Sequence, residues 1–328
     1  METKSNSVPL PPDQELVEAR KPTSLLVAQF FLFPLIIIAI CVGIFLLFGY
    51  LTYEQKDAQA FLNDIRNGSG STRWVAALEL SNLVSVDDAG LKNSAFADSV
   101  LDVYVNRRND HPRVRGFLAL TLGKLGSRKA VPALIEGLRE AEELKTADDS
   151  NWQMDMGEQA ARVFGLGPSP TEMRDFQVQN QIYTLFALGM IGDNAAVPGI
   201  LPQLRNEDPA VRKTAAYVLG VLGNTVAVRD LQVVLNDPAD EVRWNAAMAL
   251  AQLGDGSGAD LLSNLIDRNY LARLEGMTEE QKSELMVNAV KCLGILKFHP
   301  ARDKIVTLSQ TDSDLAVRDA SLAALKNF

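Results

Sequence analysis

QIYTLFALGMIGDNAAVPGILPQL (181–204), VRKTAAYVLGVLGNTVAVRDLQVVL (211–235) and VRWNAAMALAQLGDGSGADLLSNL (242–265) are one phrase written three times. Gly192, Gly223 and Gly254 fall 31 residues apart, and so do Leu188, Leu219 and Leu250. Gly189, Gly220 and Ala251 keep the same spacing, as do the pairs Val211-Arg212 and Val242-Arg243. A fixed period in this range is the mark of a stacked array, in which each unit buries its apolar face only against its neighbours.

Each unit has a helical grammar. Asp208-Pro209 and Asp237-Pro238 supply a cap and a first-turn proline. In the second unit Val211, Ala215, Val218, Leu219 and Leu222 follow at one-face helical spacing. Gly223 or Gly254 then stands where a left-handed residue closes the helix. A second helix is expected to begin near Val131-Pro132 or Val197-Pro198, and small Ala and Gly let neighbours approach closely.

The phrase returns in degenerate form at 71–84, 111–126, 284–297 and 314–325. Weak outer units are expected of end caps. The predicted fold is all-α: an α-solenoid of about seven two-helix units, preceded by one transmembrane helix. The expected divisions are a disordered tail over 1–24, the span over 25–51, a juxtamembrane linker helix over 52–69, and the solenoid over 70–328.

The pattern D-P-x-V-R-x-x-A-A-x-x-L-G-x-L-G, followed by A-V-P-x-L, resembles HEAT-like repeats of the short, phycobilisome-lyase-like class. The resemblance implies structural ladders between units, formed by Asp208, Asp237, Arg115, Arg212, Arg243 and Arg318. Lyases of that class attach or isomerise bilin chromophores on antenna proteins.

Residues Leu25 to Leu51 run for 27 positions without a charge. As a helix this is roughly 40 Å long, against the roughly 30 Å a bilayer core requires. A signal peptide has a shorter apolar region and a small-residue cleavage site, and a buried core helix shows more polar positions than Gln29 alone. Gly43 and Gly49 do not form a GxxxG dimer face. Arg20 and Lys21 abut the amino-terminal end, so the positive-inside tendency predicts a cytoplasmic amino terminus and an exported repeat domain in a bacterial inner membrane.

After the span the chain carries 29 basic and 37 acidic residues, a net charge of −8. Nucleic-acid binding is excluded as an expectation, because phosphate contacts need clustered Lys and Arg. Cys41 and Cys292 cannot clamp the repeat domain, since Cys41 lies in the span. His111 and His299 each precede a proline and read as turn residues, with no His-Glu pair of the di-iron HEAT-repeat hydroxylase kind. No nucleophile elbow, Walker loop or dinucleotide fingerprint occurs, and Cys292 sits at a packing position. No catalytic, metal or cofactor-binding residues are assigned, no cofactor or small-molecule substrate is expected, and the chain reads as a non-enzyme.

Interruptions of the register carry the functional expectation. Gly126 and Gly192 lie 66 residues apart, which places an insertion at about 141–176. There Ser150 with Gln153 resembles a capping box, and Trp152, Met156, Ala160, Val163 and Phe164 form one helical stripe before a Pro-Ser-Pro loop. Trp152, Met154, Met156, Phe164 and Phe176 are the candidate partner-binding residues, aromatic and Met anchors being common at interfaces. A second insertion adds 12 residues between Gly254 and Lys297, with Thr278 and Gln281 as another capping box. The expected function is a membrane-tethered scaffold that docks a protein partner, such as a subunit or accessory factor of a membrane complex, and that touches the lipid bilayer through residues 25–51. The alternative is an accessory factor for cofactor or chromophore attachment.

Overall fold

The computed structural model describes residues 23–52, 57–84, 94–108, 110–146 and 169–328, and all regular structure among them is helical. The chain divides into two compact units, Met1–Lys56 and Asp57–Phe328.

The first unit contributes α1 (Thr23–Thr52), a single helix with Pro34 inside it. The side chains described within it, 32–47, are all exposed. No helix among the described residues is long and apolar enough to cross a membrane. The expected span over 25–51 is therefore observed as a helix but not borne out as a membrane crossing.

The second unit opens with α2 (Ala58–Asn67), α3 (Gly70–Leu83), α4 (Ser94–Asn106), α5 (Pro112–Lys124), α6 (Val131–Thr146) and α7 (Pro170–Ile191). The strict repeats follow as α8 (Val197–Ile200), which runs on as a 3-10 turn through Leu201–Arg205, α9 (Pro209–Leu222), α10 (Val228–Val234), α11 (Asp240–Gln252) and α12 (Ala259–Leu265). α13 (Arg268–Ala272), α14 (Glu279–Ile295), α15 (Arg302–Thr311) and α16 (Leu315–Leu325) complete the array. Among the described residues, seven helices each carry one copy of the repeated phrase and stack side by side: α3, α5, α7, α9, α11, α14 and α16. The others pack behind them as a second layer, α2 included, with Leu62 and Ile65 of α2 wholly buried.

Local chemistry sets the helix ends. Asp208 accepts from Ala210 N–H at 2.8 Å to cap α9, and Pro209 takes its first turn. Asp237 is not a cap in that sense: α11 starts at Asp240, and the Asp237 side chain accepts from Ala239 N–H and from Arg212. Thr278 and Gln281 form the expected reciprocal box at α14. Ser169 and Glu172 form another at α7, so Ser169 and Pro170 start that helix rather than belonging to a loop before it. The capping box expected at Ser150 lies outside the described residues.

Gly126, Gly192, Gly223 and Gly254 all adopt left-handed backbone, φ between 66° and 80°. The fifth member of that column is Lys297, which takes φ 51° despite its side chain. Elsewhere glycine is required for closeness. A Cβ on Gly123 would lie 2.6 Å from Ala187 Cα on the next first-layer helix, and one on Gly220 would lie 2.8 Å from Ala249 Cα.

Candidate functional surface

The first feature built by the repeat is a ladder of charge. Arg212 on α9 makes a two-pronged pair with Asp237 in the next unit at 2.7 and 2.9 Å, and donates to the carbonyl oxygens of Asn206 and Glu207. Both side chains are nearly buried. Burial alone would raise the Asp237 pKa, but the bonds from Arg212 and Ala239 N–H hold it below the usual carboxylate value. The same motif joins Arg73 to Asp110 and Arg268 to Asp312. Arg115 instead turns to Glu140 at 2.8 Å, and Arg243 pairs with Asp240 of its own helix.

Of the six residues expected to ladder, Arg212 and Asp237 pair with each other across units, Arg115 crosses to α6, and Asp208 serves as a cap. Arg73 heads the Arg-x-x-Ala-Ala pattern of its unit, whereas Asp110 and Asp312, six or fewer residues before Arg115 and Arg318, and Arg268, which stands outside the repeated phrase on α13, were not singled out by the spacing. In α7 that column holds Gln181, 31 residues before Arg212. Gln181 is fully buried, and neither its amide nitrogen nor its amide oxygen has a partner among the described residues. The ladder breaks where the register breaks. The pairs Arg212–Asp237, Arg73–Asp110 and Arg268–Asp312 hold successive elements together.

The second feature is exposed. Two residues before the buried Leu80, Leu122, Leu188, Leu219 and Leu250 stand Leu78, Leu120, Phe186, Tyr217 and Met248, one per unit on successive first-layer helices. Phe186 is 38% exposed and Tyr217 is 47% exposed, their rings meeting edge-on with centroids 6.2 Å apart. Met190 and Val221, one turn further along α7 and α9, are exposed beside them. The rings of Phe117 and Tyr183, one turn before Leu120 and Phe186, lie tilted to each other with centroids 5.5 Å apart. The column turns charged at Lys291 in α14. Leu78, Leu120 and Met248 are half-buried, so the part of the row left in water is the cluster of Phe186, Met190, Tyr217 and Val221, and contiguous apolar patches of this kind mark interaction sites.

Of the residues singled out from sequence, Trp152, Met154, Met156 and Phe164 lie outside the described residues. Phe176 is half-buried near the start of α7, where the Arg113 guanidinium sits 3.8 Å over its ring. The other side of the pattern is Trp74, 5.0 Å from the same guanidinium, and the His111 ring lies 5.2 Å from Phe176. Phe176 thus takes part in packing among α3, α5 and α7. His111 caps α5 through Nδ1, which accepts from Arg113 N–H at 3.2 Å. Burial, helped by the Arg113 charge, lowers its pKa to about 4, so the ring is neutral at pH 7. Cys292 is buried against the Met248 carbonyl, and burial pushes its thiol up to about 11. No cluster of His, Cys, Asp and Glu among the described residues is placed to hold a metal ion.

Comparison with known proteins agrees with this geometry. Residues 172–251 and 197–275 match the HEAT repeats family, and residues 114–140 match the PBS lyase HEAT-like repeat. The chain carries HEAT-like repeats and folds as an all-helical solenoid. Its structure is similar to that of the complex of CpcE and CpcF of phycocyanin lyase from Nostoc sp. PCC7120, with 20% identity over 84% of this chain and 88% of that one and a TM-score of 0.50. An engineered protein aligns at 18% identity over 83% of this chain and 96% of its own, with a TM-score of 0.37. At such identities the likeness speaks to the fold. No curated protein matches the sequence.

Proposed function

We propose that the repeat unit is a protein-binding module whose docking surface is the exposed row centred on Phe186 and Tyr217. The single observation that carries this reading is the exposed cluster of Phe186, Met190, Tyr217 and Val221 on two adjacent helices, within a large apolar position that recurs once per unit. A protein partner is also in keeping with the similar structure, which is itself a complex of two chains, CpcE with CpcF.

Two finer readings divide the possibilities. The likeness to phycocyanin lyase and the PBS lyase HEAT-like match favour an accessory factor that helps attach a chromophore to its protein partner, whether it supplies a lyase step itself or presents the acceptor. The other reading is a membrane-tethered scaffold, with tail 1–24, anchor 25–51, an amino terminus in the cytoplasm and the array exported. Its support is the uncharged run and the helix α1. The comparisons favour the first.

Affinity purification of the full chain in mild detergent, followed by absorption spectra, separates them. A bilin absorbance band in the recovered material supports chromophore attachment, whereas colourless recovery with a membrane assembly supports the scaffold. Protease access in sealed spheroplasts tests the proposed orientation, which predicts digestion of the array before lysis.

A further inference from the structure

The second insertion builds a feature that the repeat alone does not make. Between α11 and α14 lies a groove of about 280 Å³, and the loop ahead of α14 supplies Gly276 and Met277 to its wall, with Gln281 from the first turn of α14. The remaining wall includes Trp244 and Asn245 of α11 with Glu284 and Asn288 of α14. Trp244 and Asn245 stand a turn or less from Met248 on α11, so the groove continues the apolar row at the point where that row turns polar.

Three observations define what this groove lacks. Asn245 and Asn288 precede Ala246 and Ala289 and hold the same position in successive first-layer helices. Asn245 Nδ2 donates to the Glu241 carbonyl at 2.8 Å, which leaves its amide oxygen for a donor. Trp244 is 4% exposed, yet its indole Nε1–H has no acceptor among the described residues, where a buried indole ordinarily finds one. Lys213 is paired with Glu241 at 2.6 Å, whereas Glu284 is exposed and has no ion-pair partner among the described residues.

We propose that this groove binds an extended peptide segment that carries a basic side chain beside an apolar one. Side-chain amides repeated from helix to helix meet the alternating N–H and C=O groups of an extended backbone. Glu284 meets the cation, and an acidic body with net charge −8 favours its approach. Met277 and half-buried Leu285 receive the apolar side chain. The inference rests on the protein-binding reading above and names the chemistry of the segment that the partner presents.

Fluorescence anisotropy with the full chain in a non-ionic detergent tests it, using labelled heptapeptides GKLGKLG and GELGELG as probes. The basic peptide is expected to bind at least tenfold more tightly than the acidic one. Glu284→Lys is expected to remove at least tenfold of that affinity and Asn288→Ala several-fold, with melting unchanged. Asp303→Lys, a fully exposed position on α15, is expected to change binding by less than twofold. Equal losses from Glu284→Lys and Asp303→Lys would reduce the effect to the general charge of the body and overturn the assignment. No binding of GKLGKLG to folded protein overturns it as well. If the partner is still captured in that case, the groove alone is at fault and the apolar row stands.

Discussion

Replacing Gly123 by alanine is expected to weaken the array, although alanine is the better helix former by about 1 kcal/mol. The new Cβ would lie 2.6 Å from Ala187 Cα and 3.0 Å from Ala187 Cβ on α7. Its nearest neighbour is backbone, so no rotamer change relieves the clash and α5 must move away from α7. Overpacking of this kind costs about 1–3 kcal/mol, and the upper end applies here, for a net loss of about 2 kcal/mol. Gly189→Ala is the control, because its Cβ would meet only the Val218 side chain, at 3.3 Å. There the propensity gain roughly cancels the crowding. Stacked units contact mainly their neighbours and need not unfold together, so hydrogen exchange read separately over α5, α7 and α9 is the assay of choice. Gly123→Ala should speed exchange in α5 and α7 by roughly tenfold or more, a factor of ten being about 1.4 kcal/mol. Equal protection in the two variants, or a more stable Gly123→Ala, would refute the close-packing argument.

Four further outcomes are expected. Arg212→Leu strands the buried Asp237 carboxylate and should cost about 3–5 kcal/mol in urea unfolding, with much of it recovered in Arg212→Leu/Asp237→Leu. Lys297→Gly relieves a left-handed lysine and should raise stability by about 1 kcal/mol, read as a higher urea midpoint. Because His111 titrates near 4 in the fold and near its ordinary 6.5 when unfolded, the unfolded chain takes up the proton first. Stability should therefore fall as pH drops from about 6.5 to 4, by at most about 3 kcal/mol, and His111→Asn, which keeps a cap, should flatten that slope. Asp237 and Asp312, both held low, lose their share only at more acid pH. The Cys292 thiol should react with a thiol reagent only after denaturant is added, and rapid labelling of folded protein at Cys292 would contradict its burial.

Period and most helix ends were legible because both rest on local chemistry: a left-handed glycine column, the Asp208-Pro209 start and the Thr278 box all act within a few residues. Ladder partners were less legible. Asp208 and Asp237 look alike beside their prolines, yet Arg212 reaches across to Asp237 while Asp208 only caps, a choice made by the offset between stacked helices. The exposed row was present in the alignment, two residues before each buried leucine, but spacing cannot say which side of a helix faces water until the second layer is in place. Phe176 reads as an anchor in one dimension and becomes packing once Arg113 arrives from α5. The groove depends on a loop folding back between α11 and α14, which no local pattern encodes.

The central claim, that the Phe186–Tyr217 row docks a protein partner, is tested most directly by capture with the full-length double variant Phe186→Glu/Tyr217→Glu. Both side chains are exposed, so its melting should stay close to that of the unmodified chain. Truncation at an interface anchor costs about 2 kcal/mol or more, so the variant is predicted to lose at least about thirtyfold in affinity for the partner recovered with the unmodified chain. Unchanged affinity in a normally folded variant would contradict the assignment of this face.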